Sequence, residues 1–238
     1  MKKLSLLLAL LCLALLISAC NATPASSPNP ADSPAPLAPL PPPEPDGGPF
    51  GVDLNINMDT IDDWLERPDV AYRDMRLLFD PADFESIGGI SPLTQTLPGY
   101  RITPLPHIAN LTGMMPPIDG VYDGERLFEI EWSEEGKVLT CKSNFKESEL
   151  ILSELFPKDR AIFLMCGGAG YSMLTRALLT YMGWDENLIY STGGNWYYEG
   201  DKSIELIIAP ENADDDSIYA LWRANYAIID FDRLTPSP

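Results

Sequence analysis

Cys166 is the side chain whose type and surroundings could do chemistry in this chain, because it stands directly before a glycine-rich turn. Glycines let consecutive backbone N–H groups turn inward without a clash at Cβ. Such a turn at the start of a helix stabilises a thiolate and can bind an anion or a terminal sulfur, so a lowered cysteine pKa is expected. The alternative is a small apolar cysteine that ends a buried strand. The residues expected to cradle the sulfur are Gly167, Gly168, Ala169, Gly170, Tyr171 and Ser172.

Two elements must position this loop. Residues Ala161 to Met165 are apolar at every position, which is typical of a strand buried on both faces of an α/β sheet, so the sulfur would lie at the carboxyl end of a strand. A helix is expected after the loop, and it should end near Gly183, because glycine is favoured just past a helix C-terminus. Its apolar face consists of Leu174, Ala177, Leu178 and Tyr181.

The stretch FLMCGGAGYS, followed by a helix, GWDENLIYSTGG and Trp196, resembles the rhodanese domain. Rhodanese-like domains have a strand, an active-site loop that begins with cysteine, a helix, a short strand and a Gly-Gly turn, and the last two are matched by Leu188–Thr192 and Gly193-Gly194. Upstream, IDDWLERPDVAYRDMR resembles the opening helix of the family and the end of its next strand, where Asp74 and Arg76 are expected to form an ion pair beside the loop. The resemblance extends over residues 57 to 200.

The resemblance implies a rhodanese-like three-layer α/β domain with a central mainly parallel sheet and helices on both faces. It also implies a sulfurtransferase without cofactor or metal, in which Cys166 takes a sulfane sulfur from a small donor or a protein persulfide and passes it to a thiol or another nucleophile. Such loops commonly carry a basic residue five positions after the cysteine, where this chain has Tyr171, and this departure favours a neutral or protein-borne persulfide over thiosulfate. The related phosphatase loop is disfavoured, because Ser172 stands where it needs arginine.

The same departure leaves a second interpretation open. A chain that kept the rhodanese fold but lacks the basic residue could be a catalytically inactive module that binds a partner at the cell surface. In that case the loop, Tyr171 and the C-terminal tail would bind the partner. The protein partner stays unknown on either interpretation.

Residues 1–19 are predicted to be a signal peptide, with Lys2 and Lys3 before an apolar run that is short for a membrane span. Small residues before Cys20 resemble a bacterial lipobox, which implies cleavage there and diacylation of the Cys20 thiol, for example with palmitate. The alternative is an ordinary secretory signal cut nearby. Residues 20–49 are rich in proline and predict an extended, lipid-anchored linker that holds a domain of residues 50–238 at the extracytoplasmic face of the cell membrane.

Composition argues against several other classes. The net charge is −19 with no basic stripe, which disfavours nucleic acid and direct docking on anionic lipid headgroups. His107 is the only histidine, so a His-based metal site is not expected. Cys141 and Cys166 could form a disulfide outside the cytosol, although that bond would block the pocket that the resemblance implies.

The remaining elements are predicted from periodicity and turn signals. Residues 53–59 alternate like an entering strand, and the C-terminal stretch 218–231 could add either an edge strand or a covering helix. Further expectations are a helix from Asp59 or Thr60 to Leu65, a strand near Tyr100–Leu105, a hairpin within 119–141, a helix over Asn144–Phe156 with a capping box of Asn144 and Glu147, and a strand at Ser203–Ala209.

Overall fold

The computed structural model describes residues 37–78, 93–111, 122, 124–208 and 220–238. The predicted signal peptide, Cys20 and the first part of the linker lie outside the described residues. The chain divides into two compact units, residues 1–40 and residues 41–238. The larger unit therefore includes residues 41–49, which the sequence assigned to the linker.

A mixed α/β architecture is organised around a six-stranded, mostly parallel sheet with the order β7-β6-β1-β3-β10-β9. Only β9 is antiparallel to its neighbour, at one edge of the sheet. The predicted α/β class with a central, mainly parallel sheet is thus confirmed. In chain order the strands are β1 (Val70–Asp74), β2 (Gln95–Thr96), β3 (Arg101–Ile102), β4 (Phe128–Trp132), β5 (Val138–Ser143), β6 (Ala161–Cys166), β7 (Ile189–Gly194), β8 (Ile204–Glu205), β9 (Ala220–Arg223) and β10 (Tyr226–Ile229).

Three α-helices pack into one hydrophobic cluster together with Ile162 and Leu164 of β6. They are α1 (Leu105–Ile108), α2 (Ser148–Leu155) and α3 (Gly170–Tyr181). Because alternate residues of a strand point to opposite faces, these helices share one face of the sheet. The opposite face carries Phe163, whose ring contacts those of Tyr72 and Tyr190 at 5.3 and 5.0 Å between centroids.

A 3-10 turn at Ile61–Asp63 replaces the longer helix predicted up to Leu65. Side chains compete for the backbone there: the Thr60 hydroxyl accepts from the Asn57 N–H and donates to the carbonyl of Asn55. The Tyr72 hydroxyl of β1 donates to the carbonyl of Trp64, so this carbonyl is bound by a side chain rather than by a helical N–H group. Among the described residues the three α-helices thus share one face of the sheet, and the segment predicted as a helix before β1 forms only this 3-10 turn.

Other boundaries also shift. The strand expected near Tyr100–Leu105 is reduced to β3, because α1 begins at Leu105 directly after Pro104. The Asn144–Glu147 capping box is wrong: the Asn144 amide donates to the carbonyl of Arg126 and the Glu147 carboxylate accepts from the N–H of Thr235. Hairpin β4–β5 is confirmed, and the C-terminal stretch forms the edge strand β9 and its inner neighbour β10 rather than a helix.

Candidate functional site

Cys166 ends β6, between β1 and β7, with only 3% of its surface exposed. The predicted order of strand, cysteine, loop and helix is confirmed, since α3 begins at Gly170. The helix ends at Tyr181, and Gly183 follows with φ +87°, the left-handed conformation that favours glycine at this place.

The loop turns into α3 at Ala169, which is the N-cap of the helix and has φ +74°. This left-handed conformation costs a residue with a side chain roughly 1–2 kcal/mol. The three loop glycines have no such φ. Strain at a non-glycine residue of this kind is often found at functional sites.

Three donors lie on the side of the loop that faces the sulfur. The backbone N–H groups of Tyr171 and Ser172 and the Ser172 hydroxyl favour the thiolate of Cys166. The Ser172 oxygen is fully buried, and it has no hydrogen bond of normal geometry with any atom of the described residues. A buried hydroxyl without a partner is uncommon in folded proteins, so the loop has capacity to bind one more atom beside the sulfur.

Burial nevertheless raises the pKa of Cys166, and the carboxylate of Asp74 adds to this effect. The donors from Tyr171 and Ser172 oppose the rise without cancelling it. The expectation of a lowered pKa is therefore wrong. The physical reason is desolvation: the sulfur packs in the apolar cluster with residues of β6, α1 and α3, and a charged thiolate loses its hydration there.

The ion pair predicted between Asp74 and Arg76 is present at the end of β1. Asp74 is fully buried, and the Arg76 Nε and Nη2 atoms donate to its carboxylate at 2.9 and 2.6 Å. The Thr96 hydroxyl donates to the same carboxylate at 3.0 Å. The remaining donors of Arg76 bind the side-chain oxygen of Asn195 and the carbonyl of Gln95. This arginine is thus bound within the protein and provides little positive charge for a ligand.

The Gly-Gly turn at the end of β7 lies directly against the loop. A Cβ atom added to Gly194 would lie 2.9 Å from Gly168 Cα and still closer to the carbonyl oxygen of Gly167. Gly193 has φ +100°, which an L-residue with a side chain rarely adopts. Glycine is therefore required at Gly194, because only a residue without a Cβ atom permits the backbone of the Gly-Gly turn to approach the backbone of the Cys166 loop this closely.

Two aromatic side chains cover the outer surface of the loop. A Cβ added to Gly167 would lie 2.7 Å from the indole of Trp196, and one added to Gly168 would lie 3.1 Å from it. The backbone N–H of Trp196 also donates to the carbonyl of Gly167 at 3.2 Å. At the other end of the loop, the ring of Phe50 lies 3.8 Å from the Cβ position of Gly170. Gly167 and Gly168 are thus needed for contact with the indole, a role that sequence reasoning missed.

Phe50 belongs to a segment, residues 41–54, that we call the N-terminal strap. The strap lies along the outer edge of β7, where the Asp53 N–H donates to the carbonyl of Ser191 at 2.8 Å and the Tyr190 hydroxyl donates to the carbonyl of Pro41 at 2.6 Å. No periodic signal in the proline-rich sequence pointed to this contact.

The Asp53 carboxylate holds the strap together. It is buried and accepts the backbone N–H groups of Glu44, Asn55 and Ile56 at 2.6 to 2.9 Å. Residues 53–59 therefore form turns around this carboxylate and make a single bridge at Asp53, rather than the entering strand that was predicted.

The other singled-out side chains take structural positions. His107 is largely buried against Tyr122, and burial lowers its pKa to about 4. Cys141 and Cys166 are free thiols, so the disulfide that the sequence left open is not formed. Across the described residues no three His, Cys, Asp or Glu side chains converge as a metal ion would require. In the same ranges no helix has the length and apolar character needed to span a membrane.

Comparison of this chain with protein-family models, with curated proteins and with solved structures finds no match. The functional interpretation therefore depends on the geometry of the Cys166 loop and on the residues that contact it.

Proposed function

We propose that this chain is a rhodanese-like sulfurtransferase in which Cys166 carries a sulfane sulfur as a persulfide. The observation that carries the proposal is the donor set beside the sulfur: the N–H groups of Tyr171 and Ser172 and the Ser172 hydroxyl favour negative charge on Cys166, and the buried Ser172 oxygen has no hydrogen bond of normal geometry with any atom of the described residues. These donors favour negative charge at the Cys166 sulfur, which is the charge that a persulfide anion would bring to the loop. Asp74 and Arg76 support the end of the neighbouring strand β1.

The reaction needs only the thiol, the loop and a donor persulfide, R–S–SH. The Cys166 thiolate attacks the outer sulfur of the donor, the S–S bond of the donor breaks, and R–S⁻ leaves and takes up the proton. Cys166 then holds a persulfide anion, which the loop N–H groups stabilise. An acceptor thiol then gives its proton to the outer sulfur, its thiolate attacks that sulfur, the S–S bond to Cys166 breaks, and the Cys166 thiolate is restored. The oxidation state of the transferred sulfur does not change.

The raised pKa of Cys166 affects the first step. At neutral pH only a small fraction of the thiol is ionised, so loading with sulfur should accelerate as the pH rises. The persulfide would add a second sulfur beside the loop, where the buried Ser172 hydroxyl has no hydrogen bond of normal geometry with any atom of the described residues. We infer that the loop is adapted to the loaded state more than to the free thiolate.

The proposed place of this reaction is the extracytoplasmic face of a bacterial cell membrane. The support is the sequence alone: a predicted signal peptide, the lipobox-like residues before Cys20 and the proline-rich segment before the strap. Metabolic labelling with a palmitate analogue would test the anchor. Label in the wild type and none in Cys20→Ser is expected, whereas label in neither protein would contradict lipidation.

A second candidate function is a binding module that retains the fold without the chemistry. The burial of Cys166 and its raised pKa favour this candidate, since both keep the thiol unreactive. Rates of alkylation do not separate the two functions, because burial slows the reaction in both cases. Gain of a sulfur atom by the protein separates them.

The deciding experiment measures the intact mass of the protein after incubation with a small organic persulfide, and separately with thiosulfate. We expect one added sulfur in the wild type and in Cys141→Ser, the matched control that removes the other free thiol of the described domain. Cys166→Ser should gain none. If the wild type gains no more sulfur than Cys166→Ser with either donor between pH 7 and 9, the sulfurtransferase proposal is wrong and the binding module stands.

A further inference from the structure

Two aromatic rings from distant parts of the chain contact the Cys166 loop at different glycines. The indole of Trp196 lies on Gly167 and Gly168, and the ring of Phe50 lies on Gly170. Trp196 is 45% exposed and Phe50 is 41% exposed, so each ring has one side on the loop and a large part of its surface open to solvent. We call Phe50 and Trp196 the aromatic platform.

The loop itself and Arg76 offer little free positive charge to a small inorganic anion, although Arg176 of α3 lies near Phe50, with its Nη1 atom 4.0 Å from the Cβ position of Gly51. Within the described loop, residues 166–172, there is no cationic side chain. Arg76, the cation beside Cys166, is occupied by Asp74, Asn195 and the carbonyl of Gln95. The chain as a whole has a net charge of −19, which repels anions at long range.

Apolar surface at this place has a different use. Exposed aromatic rings bury apolar or aromatic groups of a ligand through area removed from water and through ring stacking. The strap places Phe50 there by means of the buried Asp53 carboxylate, and Trp196 is held through its own backbone bond to Gly167. Both rings are thus positioned by the fold rather than left to project from a mobile segment.

We propose that Phe50 and Trp196 determine donor specificity by binding the organic group of a persulfide donor, so that the donor class is R–S–SH with an apolar or aromatic R. This inference rests on the proposed sulfur transfer to Cys166. The platform binds R, the outer sulfur passes to the Cys166 thiolate, and R–S⁻ leaves and is protonated to R–SH. No oxidant or reductant is required, because one S–S bond breaks as another forms.

The test compares two donors that differ only in R, methyl persulfide and benzyl persulfide, by the rate at which each adds one sulfur to Cys166. The wild type should load from benzyl persulfide about tenfold faster at equal low concentration, the size of effect that one buried and stacked ring supplies. In Phe50→Ala and in Trp196→Ala the ratio of the two rates should fall towards one. Comparing the ratio of the two loading rates within each variant corrects for any general loss of activity in that variant.

Tyr181→Ala is the matched control. Tyr181 is also a half-exposed aromatic residue, but it ends α3, about 16 Å from the loop at a rise of 1.5 Å per residue. The benzyl preference of this variant should equal that of the wild type. Equal loading from both donors in the wild type, or a benzyl preference that survives both platform substitutions, would overturn the inference while leaving sulfur transfer intact.

A second measurement separates this inference from the proposed function. Benzyl methyl sulfide is a thioether that cannot transfer sulfur, and its binding to Cys166→Ser can be followed through tryptophan fluorescence. Binding that is lost in the Phe50→Ala background supports the platform even if no donor loads the wild type, in which case the sulfurtransferase proposal fails and the platform belongs to a binding module. Absence of both binding and loading overturns both proposals.

Discussion

Gly194→Ala should be among the most damaging single-methyl additions in this protein. Gly194 has φ −108° and ψ 128°, a conformation that alanine adopts without strain, so any loss of stability must come from contact. A Cβ there would lie 2.9 Å from Gly168 Cα and closer to the Gly167 carbonyl oxygen, whereas ordinary contacts begin at 3.4 Å. The backbone of the loop must therefore withdraw by at least about 0.5 Å.

The magnitude follows from what has to move. The clashing atoms belong to the backbone of a loop fixed between β6 and α3, and Trp196 packs against Gly167 and Gly168 of the same loop. Overpacking of this kind costs about 1–3 kcal/mol, and a clash with three backbone atoms of consecutive loop residues places Gly194→Ala at the upper end, near 3 kcal/mol. Gly183→Ala is the matched comparison, because its Cβ meets nothing within 4 Å and its only penalty is φ +87°, about 1 kcal/mol.

Urea denaturation followed by tryptophan fluorescence measures both variants. With a denaturant slope of about 2 kcal/mol per molar, 3 kcal/mol lowers the midpoint by roughly 1.5 M and 1 kcal/mol by roughly 0.5 M. Retreat of the loop should also expose Cys166, so alkylation of Gly194→Ala should be faster than that of Gly183→Ala. A Gly194→Ala midpoint equal to or above that of Gly183→Ala would refute the close approach of the turn and the loop.

Four further outcomes are expected. Burial lowers the pKa of His107 to about 4, below the value near 6.5 of the unfolded chain. The contribution of neutral His107 to stability is therefore complete above pH 6.5 and is lost as the pH falls towards 4. Between pH 7 and pH 5 the unfolding free energy of the wild type should drop by roughly 2 kcal/mol more than that of His107→Gln. Asp53→Ala leaves three buried or half-buried N–H groups without their acceptor and should accelerate proteolysis within the strap, whereas cleavage at the wild-type rate would contradict the anchoring role of this carboxylate. Ala169→Gly relieves φ +74° and should raise the unfolding free energy by up to about 1 kcal/mol, as should Ala224→Gly at φ 55°, and a loss of stability in both variants would argue against these conformations. If the sulfurtransferase proposal holds, the KM for thiosulfate should be high in the wild type, fall with added salt and fall further in Tyr171→Arg; a salt-insensitive KM that this substitution leaves unchanged would show that charge does not control the substrate.

Much of the candidate site could be predicted because its signals are local. Apolar residues on both faces of β6 specify a buried parallel strand, and Gly183 specifies the end of α3. The Asp74–Arg76 ion pair joins residues two positions apart, so the sequence already places them together. The helix predicted to Leu65 failed for the opposite reason, since the Tyr72 hydroxyl on a neighbouring strand takes the carbonyl of Trp64.

The sequence by itself determined the α/β class, the position of Cys166 at the carboxyl end of a central strand and the glycine turn that follows it, because these depend on periodicity and on backbone freedom within a few residues. The tertiary structure alone decided the protonation of Cys166 and the surface around it. The N–H donors of the loop favour a thiolate and lower the pKa of Cys166. Desolvation by residues of several elements that pack around the sulfur raises this pKa, and the effect of desolvation is the larger of the two. Phe50 reaches the loop only because the strap folds back along β7, and sequence periodicity carries no information about contacts between segments so far apart.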